Sequence, residues 1–169
     1  MLVVVSDTHS TEGHRLRGRT YAAVRDADVV VHAGDFYREP VLDAFYTEAR
    51  NLRAVYGNNA DFAIRDRLPE RRVVEYGGAR IAVTHRHRSG DTGLLMFGRE
   101  RDADVVVHGH SHAPRFDDSA DVALLNPGSH AQPRGNRPAH AELESIPGGI
   151  EGCLVTPDGE VFREFTIHV

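Results

Sequence analysis

The chain has no lysine: all 20 of its basic residues are arginine, set against 25 acidic ones, for a formal charge of −5. Asp28, Asp43, Asp117, Asp118 and Asp121 are spread along the chain rather than gathered in a tail. Non-specific binding of duplex nucleic acid needs a basic face, so this balance excludes an extended nucleic-acid surface. The absence of lysine beside abundant Asp, Ala and Val fits a GC-rich coding genome and a salt-adapted source. The single cysteine, Cys153, excludes an internal disulfide, and its place in an apolar C-terminal run predicts a buried small hydrophobe. No apolar run approaches the roughly 18 residues that cross a bilayer. The start "MLVVVSDTHS" has neither a basic leader nor a small-residue cleavage site, so the expected location is cytoplasmic.

What remains is 40% apolar and 27% charged over 169 residues, ordinary values for a globular chain. At this length a single core can bury about two-thirds of the unfolded surface, and a single domain over residues 1–169 is expected. Short, valine-rich runs at 2–5, 29–31, 52–56, 81–83 and 105–107 end in small or polar residues, as strands buried on both faces do. Between them, residues 15–27 place Leu16, Thr20, Ala23, Val24 and Ala27 at helical spacing. Residues 40–49 start with a helix-compatible proline, and 92–101 form a third helical candidate despite Gly93 and Gly98. Alternating strand and helix predict a layered α/β fold with parallel central strands. The C-terminal third is β-rich, with "PDG" at 157–159 as a hairpin turn and "QPRGNRP" at 132–138 as a loop rather than a linker.

Five of the apolar runs lead into metal-binding residue types: "SDTH", "HAGD", "YGNN", "THRH" and "HGHSH". Ligands in α/β sheets bind beyond the carboxyl ends of parallel strands, so these endings can share one rim. The candidates are Asp7, His9, Asp35, Asn58, His85, His110 and His112. Imidazole mixed with carboxylate and amide oxygen suits first-row ions such as Mn²⁺, Fe²⁺, Ni²⁺, Co²⁺ or Zn²⁺ over Mg²⁺ or Ca²⁺, and Mn²⁺ is the ion expected. Seven donors exceed one tetrahedral ion and suit two ions about 3.5–4 Å apart that share a carboxylate.

In this order, D-x-H, GD, GN, T-H-x-H and G-H-S-H resemble the calcineurin-like metallophosphoesterases. The short chain with "NPGS" at 126–129 is similar to their small bacterial and archaeal phosphodiesterase branch. The resemblance implies a two-sheet β-sandwich flanked by helices instead of a doubly wound single sheet. It implies one metal on Asp7, His9, Asp35 and His112 and a second on Asp35, Asn58, His85 and His110, with Asp35 as the bridge. A hydroxide bridging two dications would then attack phosphorus in line with the leaving oxygen.

Two positions depart from the pattern. Asn59 stands where many relatives carry a histidine that protonates the leaving group, and Arg86 replaces the small residue of T-H-G-H, where it could bind substrate phosphate but is expected to face solvent. His130 is a candidate replacement acid, though a histidine after "NPGS" reads first as a surface loop residue. Arg134 could contact phosphate and His87 could support a ligand; His14, His140 and His168 have no pattern behind them.

The expected activity is a phosphodiesterase acting on a small phosphodiester, nucleotide-derived or otherwise. The alternatives are a phosphomonoesterase on the same centre, or a non-catalytic scaffold like the retromer subunit of this superfamily. A homodimer is expected by analogy. A metallo-β-lactamase reading fails on spacing, because "APRF" follows His112. The heptapeptide "DADVVVH" occurs twice, at 26–32 and 102–108, and His32 and His108 at its ends are expected to be scaffold rather than ligands.

Overall fold

A computed structural model describes residues 1–169. The chain runs β1 (Leu2–Val5), α1 (Gly18–Asp26), β2 (Val29–His32), α2 (Glu39–Glu48), β3 (Leu52–Ala54), α3 (Phe62–Arg67), β4 (Arg71–Tyr76), β5 (Ala79–Thr84) and α4 (Gly90–Arg99). It continues through β6 (Val105–Val107), β7 (Arg115–Asp117), β8 (Ala123–Asn126), β9 (His140–Ile146), β10 (Gly149–Val155) and β11 (Val161–His168). One sheet has the order β11-β10-β9-β1-β2-β3 and the other β4-β5-β6-β8-β7. Each has a parallel centre, β1-β2-β3 and β5-β6-β8, flanked by antiparallel strands. The fold is a two-sheet sandwich with helices outside, as the motif resemblance implies.

The unbroken valine runs follow from burial on both faces. Leu2, Val4 and Val31 point inward with Ile81, Val83, Val105, Val107 and Leu125 to form the core between the sheets. Val3, Val5 and Val30 point outward and are covered by Ala23 and Val24 of α1, Val41, Leu42 and Phe45 of α2, and Ile64 of α3. Ala82, Val106 and Leu124 lie under Leu94 and Phe97 of α4. Full burial of one such aliphatic side chain is worth about 1.5–3 kcal/mol, so a polar residue anywhere in these runs would be costly.

The helices are displaced from expectation by backbone chemistry. Helix α1 starts at Gly18 rather than residue 15, since Arg15 adopts a positive φ of 55°. Gly18 is also positive, and a Cβ there would lie 2.2 Å from the Pro157 carbonyl oxygen, which accepts the Arg19 amide at 2.7 Å. Helix α4 begins at Gly90, two residues earlier than expected. Three elements, α3, β4 and β7, have no counterpart in the sequence expectation. The six residues of α3 are too few to display a period, but Asp61 caps it by accepting the Ile64 amide at 3.0 Å. The "PDG" turn does join β10 to β11, with Gly159 at φ 93° donating to the Thr156 carbonyl. Cys153 on β10 is only half-buried, because its strand face carries glutamates rather than a covering layer.

Candidate metal centre

The loops after β1, β2, β5 and β6 meet at the seam between the two sheets. Backbone hydrogen bonds tie them in pairs: Asp7 donates to Gly34 and His9 to Asp35 at 3.0 and 3.1 Å, while Gly109 donates to His85 at 3.0 Å. Five of the seven candidate ligands, Asp7, His9, Asp35, His110 and His112, have φ between 45° and 73°. Non-glycine residues in this left-handed region each cost of order 1 kcal/mol or more, and such strain concentrates at functional sites. Here it turns Asp7, His9, Asp35 and His112 inward, while His110 stays exposed.

The glycines of the GD, GN and GH pairs are required by contact. A Cβ on Gly57 would lie 2.0 Å from Asp35 Oδ1, and one on Gly109 would lie 2.1 Å from Ser6 Oγ and 2.6 Å from Asp7 Oδ2. Gly34, at φ 104°, would meet His85 Nδ1 at 2.8 Å. Backbone and carboxylate can approach only where no side chain intervenes.

Asp7, His9 and His112 form one buried cluster, and Asp7, Asp35 and His85 a second. His9 Nε2 and His112 Nε2 each lie 3.4 Å from Asp7 Oδ1; His9 Nε2 and His85 Nε2 each lie 3.3 Å from Asp35 Oδ2. Metal–ligand bonds of about 2.1 Å place tetrahedral ligand atoms about 3.4 Å apart, so the spacing is that of a coordination shell. Asp7 Oδ1, His9 Nε2 and His112 Nε2 are buried with no hydrogen-bond partner. Unpaired buried polar atoms are costly, and three aimed at one point fit a cation.

The other ends of these side chains are fixed. His85 Nδ1–H donates to the Ala33 carbonyl at 2.7 Å and His112 Nδ1–H to the Gln132 carbonyl, which leaves both Nε2 lone pairs facing the cluster. The Tyr37 hydroxyl meets His9 Nδ1. Asp7 Oδ2 accepts from Ser6 Oγ at 2.8 Å and the His110 amide at 2.9 Å. Asp35 accepts the Asn59 amide at 3.0 Å and Asn59 Nδ2 at 2.8 Å. Burial works against charge on both carboxylates, but the surrounding imidazoles and donors outweigh it and hold both below the ordinary range, Asp35 far below. Burial likewise works against a charged His85, yet Asp35 and Asp7 raise its pKa above the usual value.

The "NPGS" loop braces this arrangement. Asn126 Nδ2 donates to the Gly109 carbonyl and Ser111 Oγ, and Ser129 Oγ donates to the Asp7 carbonyl at 2.7 Å. Ser129 Oγ also accepts the Gln132 amide at 2.8 Å, which sets the carbonyl that orients His112.

Asn58 and His110 lie at the exposed rim, Asn58 Oδ1 3.1 Å from His85 Nε2 and the His110 ring 5.4 Å from that of His85. Neither belongs to the two tight clusters. His87 is half-buried beside α4, where its Nδ1 accepts the Ser89 amide at 3.2 Å; a Cβ on Gly93 would collide with its ring. Arg134 and Arg86 are exposed.

His130 is neither a surface residue nor at the mouth. It is 1% exposed, donates from Nε2 to the His14 carbonyl at 3.1 Å, and faces Phe45 with Nδ1 unpartnered. The packing of its loop against α2 excludes it from water. His140 is also buried, between Thr20 and Glu142. His32 uses both nitrogens, meeting Thr8 Oγ1 at 2.9 Å and accepting the Gly34 amide at 3.1 Å. Tyr37, Ser129 and the Asn59 contact to Asp35 were not anticipated from sequence; the doubled "NN" after glycine and the unexplained "NPGS" were the available signals.

Residues 1–145 match the model of the calcineurin-like phosphoesterase superfamily domain. The chain is 33% identical to a probable metallophosphoesterase of Methanothermobacter thermautotrophicus, covering 99% of both chains. It is 27% identical to phosphodiesterase MJ0936 of Methanocaldococcus jannaschii over 74% of this chain and 81% of that one. In fold it is similar to Entamoeba histolytica Vps29 complexed with Zn²⁺, with a TM-score of 0.80, 21% identity and 99% of both chains covered. With a family match over most of its length, and buried Asp and His side chains converging where the motifs meet, this chain belongs to the calcineurin-like phosphoesterase superfamily.

Proposed function

We propose that the protein is a metal-dependent phosphodiesterase with a dinuclear centre acting on a small phosphodiester. One ion would be held by Asp7, His9, Asp35 and His112 and the other by Asp35, Asn58, His85 and His110, with Mn²⁺ as the preferred ion. The observation that carries this reading is the convergence of the unpartnered Asp7 Oδ1, His9 Nε2 and His112 Nε2 beside Asp35 Oδ2, which stands 3.3 Å from an imidazole of each set. A pair of divalent ions, when bound, supplies an acidified shared water as nucleophile and neutralises charge developing on the phosphoryl oxygens.

The chain's own groups do the positioning. Tyr37, Ala33 and Gln132 fix three imidazoles by their Nδ1 atoms, and Asn59 holds both oxygens of Asp35. Asn59 therefore serves the carboxylate and offers no proton to a leaving group. His130, buried away from the mouth, does not supply one either. Leaving-group protonation then falls to another group at the mouth, or the substrate has a leaving group that needs none, with exposed Arg134 and half-buried His87 as accessory contacts at the rim.

The test is hydrolysis of bis(p-nitrophenyl) phosphate against p-nitrophenyl phosphate with Mn²⁺, Ni²⁺, Co²⁺, Fe²⁺ and Zn²⁺. Higher kcat/KM on the diester is expected, and a higher value on the monoester would replace the diesterase with a phosphatase. Bound metal without turnover of either would overturn catalysis. A folded protein that binds no divalent ion in calorimetry would favour the scaffold reading.

A further inference from the structure

Beside the metal cluster lies a cleft of about 480 Å³ whose inner end reaches Asn58 and His85. Its walls carry Arg65, Arg71, Arg86 and Arg88 against one carboxylate, Glu70. In a protein of net charge −5 this is a local excess of three positive charges. Several arginines elsewhere are paired, Arg19 with Glu142, Arg80 with Glu75, Arg99 with Asp121 and Arg115 with Asp91, and the unpaired ones such as Arg53 and Arg163 do not line this cleft. In the cleft, Arg71 approaches Glu70 only at 3.9 Å, while Arg65 bonds the Ala60 carbonyl and lies over the Tyr56 ring. Arg86 and Arg88, two and four residues beyond Thr84 at the end of β5, flank His87 and have no carboxylate partner.

A scissile diester carries one negative charge, which a pair of dications already answers. Four guanidinium groups around one cleft with a single carboxylate leave positive charge that a further anion would answer, although Arg65 also lies over Tyr56 and Arg71 over Phe97. Guanidinium forks match phosphate oxygens with paired N–H donors, and a walled cleft concentrates their field. The volume falls in the small-ligand range of about 300–1,000 Å³.

We propose that this cleft is a subsite for a second phosphate, so that the natural substrate is a small phosphodiester bearing an additional phosphoryl group, such as a 5′-phosphorylated short oligonucleotide. The proposal rests on the phosphodiesterase reading for its catalytic consequence but not for the binding itself. Arg86 also lines the smaller hollow at His110, so it stands between the metal ligands and the subsite and can hold the linking segment.

The experiment compares dTpdT with 5′-phosphorylated pdTpdT in the Mn²⁺-loaded protein, using the native chain, the Arg86→Ala/Arg88→Ala double variant and, as a charge control, Arg163→Ala on β11. The native chain and Arg163→Ala should favour pdTpdT in kcat/KM by about tenfold or more, and the double variant should lose that preference. Calorimetry of the metal-free proteins with inorganic tripolyphosphate provides the second readout, with binding about tenfold weaker expected in the double variant alone. Equal kcat/KM for the two dinucleotides in the native chain, with bis(p-nitrophenyl) phosphate still hydrolysed, overturns the subsite and leaves the function standing. If no substrate is turned over, the function fails, and the subsite stands or falls on the tripolyphosphate titration: equal affinity in native and double variant overturns it.

Discussion

Replacing His130 by glutamine should flatten the acid side of the stability curve. Burial is the main cause of a His130 pKa pushed down to about 4, from an ordinary 6.5; the hydrogen bond to the His14 carbonyl opposes it, and His140, His14 and Arg15 add repulsion. The folded protein therefore refuses a proton that the unfolded chain accepts, and the unfolded state binds more protons between pH 6.5 and pH 4. The contribution is fully present above pH 6.5 and is lost as the pH falls toward 4. A gap of about 2.5 pK units at 1.36 kcal/mol each gives about 3 kcal/mol in all, and nearly 1.4 kcal/mol per pH unit inside the window. Urea unfolding of the metal-free protein from pH 7.5 to 4.5 reads this directly, with chelation removing the proton-linked release of metal. His32, also buried neutral, and the depressed carboxylates Asp7 and Asp35 add slopes of the same sign, so the quantity of interest is the difference between native and His130→Gln. Glutamine can still donate to the His14 carbonyl but does not titrate. Parallel curves for the two proteins, or an NMR titration placing His130 at 6.5 or above, would refute the argument.

Gly57→Ala drives a Cβ against Asp35 Oδ1 and should weaken divalent binding at least about tenfold by calorimetry, while a native-like affinity would show that the loop can yield. Asn59→Ala removes the side-chain bond to Asp35 Oδ2 while keeping the backbone bond to Oδ1, and should cost about tenfold in metal affinity, with Asn59→Asp worse because it adds a negative charge; an unchanged affinity would remove the Asn59 side chain from the positioning set. Asp35→Asn should abolish turnover of bis(p-nitrophenyl) phosphate, and persistence at the native rate would place the activity elsewhere. Divalent metal at about 100 times its Kd should raise the unfolding free energy by about 2.7 kcal/mol in chelator-treated protein, and no change in urea midpoint would mean that the cluster is not a metal site.

The central strands were legible because burial on both faces leaves an unbroken valine signature, and the buried Asp and His clusters were legible because the motifs that supply them fall where those strands end. Elements without such a cue were not. Strand β4 starts with Arg71 and Arg72 and pairs on one side only, β7 is three residues long, and α3 completes fewer than two turns. Supporting contacts were hidden for another reason. Tyr37 to His9, Asn59 to Asp35 and Ser129 to Asp7 join segments 28, 24 and 122 residues apart, and no local pattern encodes such pairings. His130 was misplaced because a histidine after glycine and serine is ordinarily solvent-exposed, whereas here the loop is drawn inward by its duty to the Asp7 carbonyl and His112.

The repeated heptapeptide shows how scaffold and site divide. In its first copy the Asp28 carboxylate binds the amino group of Met1 at 2.7 Å while the Asp28 amide bonds the Met1 carbonyl at 3.0 Å; in its second, Asp104 does the same to Arg80 through its backbone amide at 2.7 Å and its carbonyl at 2.9 Å. Each copy thus clamps the start of the neighbouring parallel strand, β1 in one sheet and β5 in the other. The valines correspond as well. Val29 and Val31 face the core between the sheets as Val105 and Val107 do, and Val30 and Val106 face the helices. Strand alternation then sends the closing histidine of each copy to the helical side, His32 onto Phe36 and Phe45 and His108 into the hollow beside Leu94 of α4. Neither histidine belongs to the Asp and His clusters at the seam between the sheets. The candidate ligands come beyond the repeat, at positive-φ turns: Asp35 after the first copy, His110 and His112 after the second.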